Sequence, residues 1–195
     1  TGFIMENNDE IMPLKEQNDF VLYANCGNGI FVIQVIGRAN HTLTPDFKSL
    51  VESIADKQFQ EPERYCVLFD MNQVETMDST FMGTLAAFAL RHKKETGSQL
   101  ILCNVNDHCS QLLNTLGLKH FVSIRSKQDI NISREQWHNA DRTNISKPEL
   151  TVMMLEAHET LCDIDSGNKV QFAGVLNFLR SSLESQNNGN LNSDE

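Results

Sequence analysis

A serine at the predicted start of a helix is the residue of this sequence with the clearest chemical potential. Asp78, Ser79 and Thr80 precede a stretch of helical apolar periodicity, and Ser and Asp are residues that helix N-termini prefer. At such a position the hydroxyl lies beside main-chain N–H groups that have no partner within the helix, so it can accept a phosphate. Phosphorylation would add roughly 1.5 to 2 negative charges next to Glu75 and Asp78. The triplet is therefore either an ordinary helix cap or a phosphorylation switch.

Other combinations of reactive residues do not assemble into a site in the sequence. His158 and Cys162 share one face of a predicted helix at i, i+4 spacing, but no further ligand completes a metal site. Cys109 follows a histidine without a recognisable acidic partner, and Gly27-Asn28-Gly29 is too short for a dinucleotide-binding loop. The sequence therefore predicts no catalytic residue, no metal and no cofactor, and it favours a binding module over an enzyme.

The elements before Ser79 are predicted to be a hairpin, a helix and a buried strand. Phe20 to Cys26 and Ile30 to Ile36 are rich in β-branched and aromatic residues, and a Gly-Asn-Gly turn separates them. Thr44 and Pro45 are typical of a helix start, and the apolar spacing carries that helix to about Gln58. Tyr65 to Phe69 is a continuous apolar run, which indicates a strand buried on both faces.

The elements after this strand alternate between helix and strand. A helix is predicted from Ser79 to about Glu95, a strand at Leu100 to Cys103, a helix capped by Asp107 and a last strand at Phe121 to Ile124. The order is β-β-α-β-α-β-α-β. Since strands joined through helices run parallel with right-handed crossovers, we expect an α/β fold in which helices cover one face of a mixed sheet.

A second helical pattern follows a polar linker. Pro148 begins one helix with an apolar stripe, and the turn Asp165-Ser166-Gly167 leads into another, which predicts an antiparallel hairpin. The predicted organisation is a polar tail at 1–18, the α/β domain at 19–125, the linker at 126–147, the hairpin at 148–185 and a disordered tail at 186–195.

Composition narrows the class of partner and the compartment. The 195 residues carry a net charge of −10 without a cluster of Lys and Arg, so direct nucleic acid binding is not expected. Five cysteines, an odd number without any CxxC pair, favour a reducing compartment. The sequence shows neither a membrane-spanning run nor a secretion signal at its start. We therefore expect a cytoplasmic protein without membrane contact.

The segment from Asp70 to Leu85 resembles the signature of STAS domains of the bacterial anti-sigma factor antagonist family. In that signature a buried strand ends in Asp, a Val follows, and Met-Asp-Ser-Ser/Thr opens a helix. Gly37 after the second strand and the late Leu-Gly-Leu at Leu116 to Leu118 also fit the family. The resemblance covers about residues 19–125, and it implies a STAS-like fold.

The resemblance also implies a function. Ser79 would be the phosphorylated residue, the kinase would be a serine kinase that acts as an anti-sigma factor, and a serine phosphatase would reset the switch. The unmodified chain would bind the kinase and release the sigma factor for transcription. Two departures are Phe81, where many members have Gly, and the C-terminal hairpin. We expect Phe81 to be an exposed contact. The predicted partner-binding residues are Asp78, Thr80, Phe81, Met77, Arg38, Asn40 and His41.

An alternative keeps the fold but changes the function to a non-enzymatic scaffold or signalling subunit. The apolar stripes of the hairpin must be buried, either on the open face of the sheet or against a second copy of the chain. The second arrangement predicts a homodimer formed through the C-terminal helices.

Overall fold

The protein consists of a mixed sheet with packed helices, followed by two long C-terminal helices. The computed structural model describes residues 19–58, 66–125 and 128–190. The predicted tail at 1–18, Tyr65 and the end of the C-terminal tail lie outside the described residues. The strands are β1 Phe20–Asn25, β2 Ile30–Ala39, β3 Cys66–Asp70, β4 Val74–Met77, β5 Leu100–Cys103, β6 Val122–Arg125 and β7 His138–Asn139. The helices are α1 Thr44–Gln58, α2 Ser79–Thr96, α3 Asp107–Thr115, α4 Lys147–Ile164 and α5 Gly167–Asn190.

The predicted hairpin and parallel strands are confirmed. The strand order is β6-β5-β3-β2-β1-β7, with β1 antiparallel to β2 and β7, and with β2, β3, β5 and β6 mutually parallel along the path. β3 lies between β2 and β5, at the centre of the sheet. Val67 and Phe69 are buried, whereas Cys66 and Leu68 on the opposite face are only half-buried, so the expected burial of both faces is wrong. The fold class predicted from the sequence is therefore confirmed.

Two strands were not predicted, and β4 matters for the site. β2 changes partner at Gly37, which adopts φ 81°, and the register shifts between Gly37 and Arg38. Before this point β2 pairs with β3, and after it β2 pairs with β4. Glycine tolerates a positive φ that other residues avoid. The bend thus lets one strand join two neighbours, and β4 leads directly into α2.

An aromatic cluster joins the sheet to the helices. Phe47 of α1 packs with its ring centroid 5.6 Å from Phe69 of β3 and 4.6 Å from Phe81 of α2. Phe88, two turns further along α2, lies 6.1 Å from Phe69. Rings at these separations contribute more than their buried area alone. Phe81 is thus a core residue, and only 1% of its surface is exposed.

The expectation that Phe81 is an exposed partner contact is therefore wrong. Residue 81 follows Ser79 by two positions, about 200° around the helix, so its side chain points away from the serine and into the core. Thr80 and Met77 are also buried, with 2% and 4% of their surface exposed. The Phe81 ring fills space between α1 and α2.

The helical hairpin packs on α2. Leu161 and Cys162 of α4 and Phe172 and Leu176 of α5 belong to the same hydrophobic core as the sheet. At the hairpin turn the buried Asn168 donates to the carbonyl oxygens of Leu116 (3.1 Å) and Leu161 (2.7 Å). The open sheet face, one of the two positions expected from the sequence, is not where the stripe is buried. α5 extends to Asn190, beyond the predicted end of the hairpin at 185.

Two phenylalanines test this assignment of the core. Phe81→Ala is expected to lower the free energy of unfolding by about 3 to 5 kcal/mol, because it leaves a cavity between α1 and α2. Phe178→Ala, at a position with 70% of its surface exposed, should change it by about 0.5 kcal/mol or less. Urea unfolding followed by circular dichroism measures both. Equal losses in the two variants would contradict the placement of Phe81.

Candidate functional site

Ser79 is the first residue of α2, and Asp78 caps that helix. Asp78 adopts an extended backbone conformation, and its Oδ1 accepts a hydrogen bond of 2.8 Å from the main-chain N–H of Phe81. This satisfies one of the N–H groups that the first turn of a helix leaves without an intrahelical partner. Ser79 itself is half-buried. The prediction of a helix start at Ser79 is thus confirmed, with Asp78 as the cap.

Asp78 also ties the start of α2 to the loop after β2. Its Oδ2 accepts from the main-chain N–H of His41 at 2.7 Å, and the Nδ1 atom of His41 lies 3.3 Å from the same oxygen. The main-chain N–H of Asp78 donates to the carbonyl oxygen of Ala39 at 2.9 Å. One carboxylate therefore accepts hydrogen bonds from both the helix and the loop, and it holds His41 beside the start of α2.

The rest of that loop is fixed through Asp19. The carboxylate of Asp19 accepts from the main-chain N–H of Arg38 at 2.9 Å and from Nδ2 of Asn40 at 3.2 Å. The Arg38 side chain is exposed, with its Nε 3.7 Å from Asp19. Arg38 and Asn40 are thus held by Asp19, and His41 is held by Asp78, the residue before Ser79. We call the predicted contact residues Arg38, Asn40, His41 and Asp78, together with Ser79, the serine surface.

The closest partner of the serine hydroxyl comes from the C-terminal hairpin. The Nε2 atom of His158, in α4, lies 2.8 Å from Ser79 Oγ. Sequence reasoning considered His158 only as a metal ligand with Cys162. The position of His158 on the same apolar stripe as Ala157 and Leu161 could have predicted this contact. A polar side chain on a buried helix face needs a hydrogen-bond partner.

The other ring nitrogen defines the direction of this bond. Nδ1 of His158 lies 2.7 Å from the carbonyl oxygen of Met154, which can only accept, so Nδ1 carries a proton. In the neutral imidazole Nε2 is then the acceptor, and the serine hydroxyl donates to it. The ring is 2% exposed and packs edge-on against Phe172 of α5 at 5.0 Å. His158 is therefore held by α4 and α5 while it binds α2.

The two helices are in main-chain contact one turn after Ser79. A Cβ atom added to Gly83 would overlap the backbone of Ala157, with the Ala157 carbonyl carbon at 2.6 Å and its Cα at 2.8 Å. Gly83 and Ala157 thus form the crossing point of α2 and α4. His158 follows Ala157, and Ser79 precedes Gly83 by one turn, so the close crossing sets the distance between the hydroxyl and the imidazole.

The two cysteines that the sequence analysis considered, Cys109 and Cys162, are both buried. Burial raises the pKa of the Cys109 thiol, and its sulfur lies 4.0 Å from the carbonyl oxygen of Glu75. Burial likewise raises the pKa of Cys162. A thiol with a raised pKa is a weak nucleophile and a weak metal ligand at neutral pH. In the ranges 19–58, 66–125 and 128–190, no group of three His, Cys, Asp or Glu side chains could hold a metal ion.

A cavity of about 1220 Å³ lies at the carboxyl ends of β3 and β5, away from the serine surface. The carboxylate of Asp70 lies in its wall, and it accepts from Nε2 of Gln34 (2.8 Å), Nδ2 of Asn104 (2.8 Å) and the main-chain N–H of Asn72 (3.1 Å). These polar groups satisfy one another. None of the residues predicted for the site lines this cavity.

Comparison with known proteins identifies a family for the central part of the chain. The family model of the STAS domain matches residues 24–130, more than half of the chain. No curated protein sequence matches this chain. No helix in the described part of the chain is long and apolar enough to cross a bilayer.

Two solved structures are similar to part of the chain. The anti-sigma factor antagonist SpoIIAA in its unphosphorylated form aligns with 55% of this chain and 87% of its own, at 16% identity and a TM-score of 0.39. SLC26A9 aligns with 56% of this chain and 22% of its own, at 12% identity and a TM-score of 0.43.

The double role of Asp78 can be tested by substitution. Asp78→Ala removes the helix cap and the acceptor for His41, and it should lower the free energy of unfolding by about 1 to 2 kcal/mol. Asp56→Ala, which removes an exposed carboxylate paired with Arg91, should lower it by about 0.5 kcal/mol or less. Urea unfolding compares the two. A loss at Asp78 no larger than that at Asp56 would mean that the cap is dispensable.

Proposed function

The chain belongs to the STAS domain family, and on that premise we propose that it is an anti-sigma factor antagonist switched by phosphorylation of Ser79. The unmodified serine surface binds a serine kinase that acts as the anti-sigma factor, and the phosphorylated form releases it. A serine phosphatase restores the binding form. The protein is a substrate and a binding partner in this cycle, and it acts in the cytoplasm.

The observation that carries the proposal is the position of Ser79 within the serine surface. Its hydroxyl lies at the N-terminus of an 18-residue helix, beside the polar loop that Asp78 holds in place. A helix N-terminus favours an anion by about 0.3 to 1 kcal/mol, so a phosphate there does not by itself destabilise α2. The modification can therefore change the surface without unfolding the domain.

The effect on a partner is electrostatic. A phosphate brings roughly 1.5 to 2 negative charges to a surface that already holds Asp78. A partner that binds the neutral hydroxyl must then face this charge across a desolvated interface, at a cost of several kcal/mol. Since about 1.4 kcal/mol corresponds to tenfold in affinity, a loss of about a hundredfold or more is expected.

The serine is the substrate and not a nucleophile of this protein's own reaction. In the Ser79–His158 pair the second imidazole nitrogen is bonded to a main-chain carbonyl oxygen instead of a carboxylate. A catalytic serine needs a base that is oriented by a third group and a substrate pocket beside it. The main-chain carbonyl oxygen of Met154 in place of a carboxylate therefore favours a role of Ser79 as phosphate acceptor over a role as nucleophile.

Phosphorylation at Ser79 can be measured directly. The full chain, incubated with ATP and a clarified extract of the source organism, should gain one phosphate at Ser79, located by peptide mass spectrometry. Ser79→Ala should abolish it. Ser110→Ala is the matched control, because Ser110 is a half-buried serine in the first turn of α3. Phosphate that persists in Ser79→Ala, or that is lost equally in Ser110→Ala, would contradict the proposal.

A scaffold that self-associates through α5 is the second candidate function. It is favoured by two apolar side chains on the outer side of that helix, Val170 and Phe178, which are 85% and 70% exposed. Single exposed apolar residues are common, but these two lie two turns apart on one helix face.

Self-association through α5 predicts that Phe178→Ser converts a dimer to a monomer. Multi-angle light scattering of the full chain gives the molar mass, and Val152→Ser, an exposed position on α4, is the control. A monomeric wild-type chain at concentrations up to about 100 μM would exclude the scaffold built on this helix.

A further inference from the structure

The C-terminal hairpin covers the serine that the proposed function requires a kinase to reach. Ser79 is half-buried, and its hydroxyl hydrogen-bonds to an imidazole that is itself 2% exposed. One turn further along α2, the main chain of Gly83 meets that of Ala157. Two successive turns of α2 are thus in contact with α4 on the side where the serine hydroxyl lies.

A phosphoryl group does not fit in this arrangement. Ser79 Oγ and His158 Nε2 are 2.8 Å apart, which is direct hydrogen-bond contact without an intervening atom. A phosphate adds a phosphorus atom and three oxygens at Oγ, and the ring of His158 is fixed from behind by Phe172 and by the carbonyl oxygen of Met154. The phosphorylated serine and the closed position of α4 therefore exclude each other.

We infer that α4 is an autoinhibitory cover, and that Ser79 is phosphorylated only in an open conformer in which α4 has moved away from the first two turns of α2. This inference rests on the proposed function, because it concerns the regulation of the same serine. A kinase active site must also surround the hydroxyl, so the cover limits kinase docking as well as phosphate transfer.

The closed form is the resting state of the chain. Leu161 of α4 and Phe172 of α5 are part of the main core, and Asn168 binds the hairpin turn to the end of α3. The ion pair of 3.1 Å between Lys48 of α1 and Glu156 of α4 is partly exposed and adds little to this attachment. Opening at the crossing while the hairpin turn stays attached would keep the hydrogen bonds of Asn168.

The cover makes phosphorylation depend on the population of the open form. A binding event that requires a minor conformer is weakened in proportion to that conformer's population. By linkage, a phosphate or a partner that binds only the open form must also favour opening. Unphosphorylated and phosphorylated chains should therefore differ in the protection of α4.

A pair of glycine substitutions separates the cover from a general effect on the helices. Gly83→Ala places a methyl group against the Ala157 backbone, which cannot move without shifting α4. Gly174→Ala makes the same chemical change in α5, where an added Cβ has no atom within 4 Å. Alanine is a better helix former than glycine in both helices.

The first measurement needs no kinase. In full-length Ser79→Cys chains, a pulse of N-ethylmaleimide followed by peptide mass spectrometry gives the labelling rate at position 79. Gly83→Ala should raise that rate by about tenfold or more, and Gly174→Ala should leave it within about twofold. The exposed Cys26 and the buried Cys109 are internal references for full and minimal labelling. Equal rates at position 79 in the two glycine variants would overturn the cover.

The second measurement uses chains with Ser79 intact in the ATP-supplemented extract. Faster phosphorylation of Gly83→Ala than of Gly174→Ala supports the cover acting on the proposed switch. If position 79 becomes accessible in Gly83→Ala but Ser79 is never phosphorylated in any chain, the proposed function fails and the cover remains. If phosphorylation is fast and equal in all chains, the cover fails and the proposed function remains.

Thiol labelling with Gly83 unchanged provides a test that does not depend on the glycine variants. In the full-length Ser79→Cys chain, position 79 should react with N-ethylmaleimide through an opening that leaves the buried Cys109 unlabelled. Labelling of position 79 only together with Cys109 would show that the cover does not open in the folded protein, and this would overturn the inference.

Discussion

The contact between the main chains of Gly83 and Ala157 is the constraint on which the hydrogen bond between Ser79 and His158 depends. Any side chain at residue 83 would separate α2 from α4, and a separation of even one methyl group would take His158 out of hydrogen-bond distance of Ser79. The absence of a Cβ costs helix stability, by roughly 1 kcal/mol relative to alanine. Because the missing Cβ lets the two helices pack closely, burial of the hairpin compensates for that cost.

A second glycine places the serine relative to the sheet. The positive φ of Gly37 lets β2 leave β3 and pair with β4, and β4 ends one residue before the cap of α2. The Asp78 carboxylate then accepts hydrogen bonds from main-chain N–H groups of α2 and of the loop that follows β2. The start of the helix and its neighbouring loop therefore move as one unit, while α4 makes a separate contact with the same serine.

Periodicity and helix-cap chemistry predicted most of the domain because both are local. The start of α2 at Ser79, its end before Gly97 and the strand at Leu100 to Cys103 follow from residues within a few positions of each boundary. β4 was missed because Glu75 and Thr76 interrupt its apolar residues, whereas the equally short strand at Leu100 to Cys103 is a continuous apolar run. The apolar stripe of the hairpin was recognised, but a stripe does not identify the surface that buries it. Phe81 was misplaced because the resemblance showed only that it lies two residues from Ser79 in the sequence. Its direction around the helix, which decides its exposure, was not considered.

Two opposing effects act on a phosphate at Ser79, and their sizes determine which state accepts it. The N-terminus of α2 favours the anion by about 0.3 to 1 kcal/mol, or up to about 2 in a partly buried site. In the closed form the phosphate would also have to separate α4 from α2, which leaves the buried imidazole of His158 without its hydroxyl partner at about 1 to 3 kcal/mol. It would further expose apolar area at the helix crossing, at about 25 cal/mol per Å². The closed form is therefore the poorer phosphate acceptor, whereas in the open form the helix term favours the phosphate without these two costs. A helix appended to a STAS domain can in this way regulate the serine without altering the residues that surround it.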